Sequence, residues 1–159
     1  MFGHLQPDEI EQVLKQQYIG RIGCHADGIT YVVTISYAYD GAYIYGHTAE
    51  GMKVNMMRKN PKVCFQVDDM VNMGNWNSVV VWGEYEELGI SKEREHALRQ
   101  LLDRSLPAVT SKTVQLGEQW PFPPNDVQSI EGIVFRIRVT EKTGRYERNC
   151  ESYSACSIG

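Results

Sequence analysis

No apolar run of any length interrupts this chain. The longest, Val79-Val80-Val81-Trp82, falls far short of the roughly 20 residues a membrane-spanning helix needs. A surplus of positive charge is missing too: 16 Lys+Arg stand against 20 Asp+Glu, for a net charge of -4. Without a basic stripe to release counterions from phosphate backbones, nucleic acid is not an expected partner. The start, MFGHLQPDEI, lacks a basic region followed by an apolar one, so the pattern of a secretory leader is absent and the cytoplasm is the expected compartment. Cysteine is sparse. Of Cys24, Cys64, Cys150 and Cys156, none forms a CxxC pair, and the first two lie in strand-like apolar runs where a free thiol serves as a small hydrophobe. The histidines His4, His25, His47 and His96 are scattered, and the Cys24-His25 neighbours face opposite sides of a strand, which argues against a structural zinc site. GxGxxG, GxxxxGK[ST], HExxH and GxSxG are all absent, and with them the signatures of dinucleotide, P-loop, zincin and nucleophile-elbow chemistry.

What remains is a patterned chain of 159 residues, a length suited to one domain that buries roughly 68 to 70% of its unfolded surface. Ile10, Val13 and Leu14 at helical spacing, behind Pro7-Asp8-Glu9, predict a short amphipathic helix over 7–17. The period then switches to two. Strands are predicted over 19–25, 29–39 and 42–47, with turns at Ala26-Asp27-Gly28 and Asp40-Gly41, and together they read as a three-stranded antiparallel meander. Met52, Met56 and Met57 share one face of a helix that Asn60-Pro61 ends. Further strands are predicted over 62–68 and 76–88. A helix capped by Ser91 follows, with an Ala97, Leu98, Leu101 and Leu102 stripe. Residues 106–126 hold four of the six prolines and read as a long loop, 130–140 as a last strand, and the chain from Glu141 as a polar tail. About six strands and three helices without βαβ alternation point to a mainly β protein, a small antiparallel barrel.

Candidate chemistry concentrates at Tyr45-Gly46-His47-Thr48-Ala49-Glu50-Gly51-Met52-Lys53, where a strand runs directly into a helix. Free N–H groups at the helix start, the Thr48 hydroxyl, a glycine at 51 and Lys53 in the first turn make a cradle for a phosphate. Taken alone, the same residues also fit a helix cap and a solvated charge. His47 has the near-neutral pKa of a proton-transfer group, or is hydrogen-bonded at a strand end. Trp76, Trp82 and the tyrosines 31, 37, 39, 43 and 45 fit core or dimer packing.

These residues carry a resemblance. YVVTISYAYDGAYIYGHTAEGMKVNMMRKNPKVCFQVD at 31–68, NSVVVWGEYEEL at 77–88 and FRIRVTEKTGR at 135–145 resemble the pyridoxamine 5'-phosphate oxidase-like flavoproteins. HxAxGxK from His47 to Lys53, NPKV at 60–63 and S-V-x-V-x-G at 78–83 are similar to their nitroimidazole-resistance (Nim) branch. The resemblance implies a six-stranded antiparallel split barrel of the FMN-binding type over 1–145, followed by a polar tail at 146–159. It further implies a homodimer with FMN in clefts at the interface. By position, Val33, Thr34 and Ser36 would lie along the flavin. His47 and Thr48 would follow at the end of the next strand, Gly51, Met52 and Lys53 would hold the phosphate, and Ser78 and Val79 would close the pocket. Where the true oxidases carry basic residues, or an Arg-Gln pair, this chain has Tyr31, Ser36, Met52 and Asn77-Ser78, so vitamin B6 oxidase activity is not implied. The implied activity is an oxidoreductase passing electrons from NAD(P)H through FMN to a small organic acceptor such as a nitro-aromatic, with His47 as catalytic group. Two alternatives stay open: a flavin-binding module without turnover, and the same barrel holding haem or the deazaflavin F420.

Overall fold

The computed structural model describes residues 1–104 and 127–149. In chain order these form β1 (Phe2–His4), α1 (Pro7–Gln16), β2 (Ile19–Ala26), β3 (Ile29–Ser36), β4 (Ala38–Tyr39) and β5 (Tyr43–Thr48). Then come α2 (Met52–Lys59), β6 (Lys62–Asn72), β7 (Asn75–Leu88), α3 (Lys92–Leu102), a 3-10 turn (Val127–Ser129) and β8 (Ile133–Glu147). The class is as expected: one antiparallel sheet with short helices. It has eight strands rather than six, in the order β3-β2-β6-β7-β8-β5-β4, with β1 added on β8.

The helices form where the pattern placed them. α1 buries Ile10, Val13 and Leu14, and its first turn is fixed by the Gln6 amide donating to Glu9 Oε2 at 2.7 Å. Full burial of Leu14 alone stabilises the fold by about 1.5–3 kcal/mol. Ser91 caps α3, its Oγ accepting from the Arg94 amide at 3.2 Å.

The predicted meander is corrected. β3 pairs with β2, but the strand expected over 29–39 breaks at Tyr37, and β5 pairs with β4 and β8 instead of β3. Tyr37 explains the break: its amide donates to Tyr18 O at 3.0 Å, its hydroxyl to Leu14 O at 2.8 Å, and its buried ring meets Phe65 edge-on at 4.8 Å. The two ends of the strand order, β3 and β4, are thus joined through this single residue, and the sheet must curl for them to meet. No ladder closes that seam among the described residues.

The polar tail from Glu141 is also corrected, since 141–147 continue β8 along β7 and pair with β1. Residues 106–126, Cys150 and Cys156 lie outside the described residues. Of the remaining thiols, Cys24 is buried and Cys64 half-buried. The curled sheet encloses the main core, with Ile22, Phe65, Val79, Val81 and Ile137 against α1 and α2, and a second cluster seats α3 on β4, β5 and β8. Gly46 is needed for closeness: a Cβ there would stand 2.4 Å from the ring of Phe135, its partner across β5–β8.

Candidate functional site

β5 ends at Thr48, and after a three-residue linker α2 begins at Met52, with Gly51 in extended backbone as its cap. The first helical bond runs from the Asn55 amide to Gly51 O at 3.1 Å, so the N–H groups of Met52, Lys53 and Val54 have no acceptor within the helix. No acidic residue occupies that first turn, and a Cβ at Gly51 would meet nothing within 4 Å. The cap therefore opens onto free space.

Lys53 is half-buried, with Nζ donating to Thr48 Oγ1 at 2.7 Å, and Thr48 in turn donates to Ala49 O at 3.2 Å. It has no carboxylate partner among the described residues. Burial pulls its pKa below the ordinary lysine value, opposed by the nearby Cys24 thiol. An ammonium that is desolvated without a counter-charge favours an anion, so Thr48, Gly51, Met52 and Lys53 come together as one cradle with the donors and charge a phosphate takes.

His47 stands beside the cradle with a different engagement. Its Nε2 lies 2.5 Å from Glu131 O, and Gly132 (φ 96°) crosses so closely that a Cβ there would reach 2.8 Å from Nε2. Burial, reinforced by Arg94, lowers its pKa, with the Glu131 carbonyl pulling the other way. The ring is thus neutral at pH 7, with its proton on the nitrogen facing the carbonyl, leaving Nδ1 as an acceptor. With Nε2 engaged by the Glu131 carbonyl, Nδ1 is the nitrogen left for an incoming group.

The other candidates divide by face. Register sets Thr34, Arg21, Gln66 and Val80 in one row across β3, β2, β6 and β7. Here Thr34 is exposed, and Ser78 Oγ accepts from Gln66 Nε2 at 3.1 Å. Arg21 Nη1 donates to Asp68 Oδ1 at 2.6 Å in the same network. Arg21, Gln66 and Asp68 were missed in the sequence, where only their outward parity in otherwise apolar strands marks them. Val33 and Val79 point the other way: the Val33 side chain is half-buried and that of Val79 is wholly in the core, so what these two offer a ligand on the outer face is backbone. Ser36 is buried. Its Oγ accepts from Arg104 Nη1 at 2.5 Å, which ties it to the end of α3. Cys24, beside Lys53, pairs with Tyr31, five residues from Ser36 and hence about 16 Å away along β3. A cleft of about 650 Å³ lies between α1, the β4–β5 turn and β8, and one of about 440 Å³ between α1 and α3; neither is lined by a candidate residue.

The chain is similar to known proteins along nearly its whole length. An uncharacterized protein of Rhizobium meliloti (strain 1021) is 32% identical over 142 residues, covering 87% of this chain and 90% of the relative. The crystal structure of an FAD-binding protein from Mesorhizobium loti, 32% identical, covers 93% of this chain and 99% of its own with a TM-score of 0.71. At 19% identity, a Bacteroides thetaiotaomicron protein assigned to 5-nitroimidazole antibiotic resistance shares the fold, with a TM-score of 0.69 over 92% of this chain and 87% of its own. A family model described as pyridoxamine 5'-phosphate oxidase matches residues 6–146. With one antiparallel sheet curled about its core, and that match running from the α1 cap to the end of β8, the chain belongs to the pyridoxamine 5'-phosphate oxidase family.

Proposed function

We propose that the chain is a flavoprotein oxidoreductase that binds FMN and reduces small organic acceptors with electrons from NAD(P)H. The observation that carries this reading is Lys53, a half-buried cation without a carboxylate partner among the described residues, at an open helix start free of acidic side chains. Those features fit the phosphate of a flavin mononucleotide, and Thr48, Gly51, Met52 and Lys53 would hold it. The remainder of the ligand would extend along β3, whose outer edge has no ladder partner among the described residues and leaves backbone N–H and C=O groups for a planar heterocycle. The flavin would supply the electron transfer, and the protein's part is to orient it and exclude water. His47, tethered through Nε2, would hold an acceptor's hydrogen-bond donor at Nδ1.

A homodimer completes this reading. Val32, Gly23, Cys64 and Trp82 share one row on the outer face of β3, β2, β6 and β7, with Val32 63% and Trp82 42% exposed. A second copy would cover this apolar row and wall in a flavin lying against Thr34 and Ser78.

One observation favours a second ligand, FAD: the Mesorhizobium loti relative binds it by name, and the open space at Gly51 leaves room beyond a first phosphate. Titration of the protein with FMN, FAD and riboflavin, followed by anaerobic mixing of the complex with NADH or NADPH, tests the proposal. Tight FMN binding and bleaching of the flavin absorbance near 450 nm by the nicotinamide are the expected results. Preference for FAD selects the second ligand, and failure of either nicotinamide to reduce a bound flavin leaves a binding module.

A further inference from the structure

The linker between β5 and α2 carries a charge that works against an anion site. Glu50 immediately precedes the Gly51 cap, and a carboxylate free to turn toward the first turn of α2 would oppose any phosphate there. It is not free. Arg58, in the last turn of the same helix, reaches back and takes Glu50 in a fork, Nη1 to Oε2 at 2.9 Å and Nη2 to Oε1 at 2.8 Å. With Nε and Nη2 it takes Glu87, at the end of β7, in a second fork at 2.7 and 2.6 Å. Two bidentate pairs on one guanidinium set geometry in a way single surface ion pairs do not.

We propose that Arg58 is a positioning residue for the cradle: by clamping Glu50 to Glu87 it holds the linker in place and keeps the Glu50 charge off the bound phosphate. This rests on the reading of Thr48–Lys53 as the phosphate site. The clamp ties together three places: the linker, the C-terminal turn of α2 and the strand β7. A side chain that touches no ligand thereby sets the ligand's affinity. The shift of Glu87 below the usual carboxylate range, caused first by its hydrogen bond from Arg58, agrees with a charge-assisted pairing that persists at neutral pH.

The test compares FMN with riboflavin, which shares the ring and lacks the phosphate, by fluorescence titration of wild type, Arg58→Ala, Glu50→Gln and the double variant. Two like unit charges ~6 Å apart at an effective dielectric of ~40 correspond to about a tenfold loss of affinity. Arg58→Ala is therefore expected to weaken FMN about tenfold and riboflavin less than about twofold, with the loss shrinking in 1 M salt. Glu50→Gln alone should change neither ligand, and the double variant should recover FMN binding. If Arg58→Ala does not fold, Arg58→Lys, which keeps the charge and loses the forks, takes its place with a smaller loss of the same selectivity. Equal losses for FMN and riboflavin, or a double variant as weak as Arg58→Ala, overturn the clamp. FMN binding that responds to Lys53 but not to Arg58 overturns the clamp alone, and no FMN binding by the wild type overturns both it and the phosphate site.

Discussion

Replacing Lys53 with methionine separates two effects that usually move together. The ammonium is half-buried, donates to Thr48 and faces no carboxylate among the described residues, so folding takes it out of water for a single neutral hydrogen bond. Its pKa is lowered, and for a lysine this means that the unfolded chain binds the proton more tightly. The cost is therefore fully present at pH 7 and is relieved only as pH rises through the lowered value toward 10.5. Methionine keeps the length of the stem and removes the charge, so the flavin-free protein should keep its stability or gain up to about 1 kcal/mol. The phosphate, in contrast, loses a charge-assisted hydrogen bond of about 1.5–3 kcal/mol, which is roughly 12- to 160-fold in Kd for FMN. Urea unfolding of the free protein and fluorescence titration with FMN read the two effects independently. A variant destabilised by more than about 1 kcal/mol with unchanged FMN affinity would refute the reasoning, because Lys53 would then be a packing residue.

Three further outcomes follow from other parts of the structure. His47 has a lowered pKa, so the unfolded chain takes up a proton first as pH falls below about 6.5, and stability should decline there by up to about 1.4 kcal/mol per pH unit. Unfolding of His47→Asn at pH 7.5 and 5.5 should show a shallower decline; an identical slope assigns the effect elsewhere. Gly46→Val forces side-chain atoms into the Phe135 ring and should lower stability by about 1–3 kcal/mol, with partial recovery by Phe135→Leu; a thermal midpoint equal to that of wild type contradicts the close approach. Trp82→Glu places a charge on the exposed apolar row of β7 and should convert a dimer to a monomer in sedimentation velocity, whereas an unchanged sedimentation coefficient takes that face out of the interface.

The elements with local signals were legible in the sequence, and their partners were not. Ile10, Val13 and Leu14 define α1, Ser91 marks the start of α3 and Pro61 closes α2, because periodicity, capping and proline act within a few residues. Tyr37 reads as one more aromatic in an extended run. What breaks the strand there is a set of contacts to Tyr18, Leu14 and Phe65, all of them about 20 or more residues away. The second half of β8 shows the converse. Lys142, Arg145 and Glu147 read as a solvated tail because they are charged, while the strand is held by backbone ladders to β7 and β1 that leave no apolar pattern. At the candidate site, Thr48, Gly51 and Lys53 were legible because a strand-to-helix junction has its own chemistry. The tie of Ser36 to Arg104, 68 residues on and just past α3, has no local signal and was not legible.

The order of the strands also bears on when this protein acquires its candidate site during synthesis. β5, which presents His47 and Thr48, finds its long partner in β8, and the residues of β8 emerge from the ribosome last among those described here. Until Ile133–Glu147 are available, the β4–β5 hairpin has its own two-residue ladder, the seat of α3 and the contacts of Tyr39 and Ile44 with α1 and the main core, but not its long ladder, and the N-terminal β1 waits on the same strand. A nascent chain stopped short of Ile133 would have every residue of the candidate cradle but not the ladder that fixes β5, so the cradle takes its final geometry only once β8 has been made.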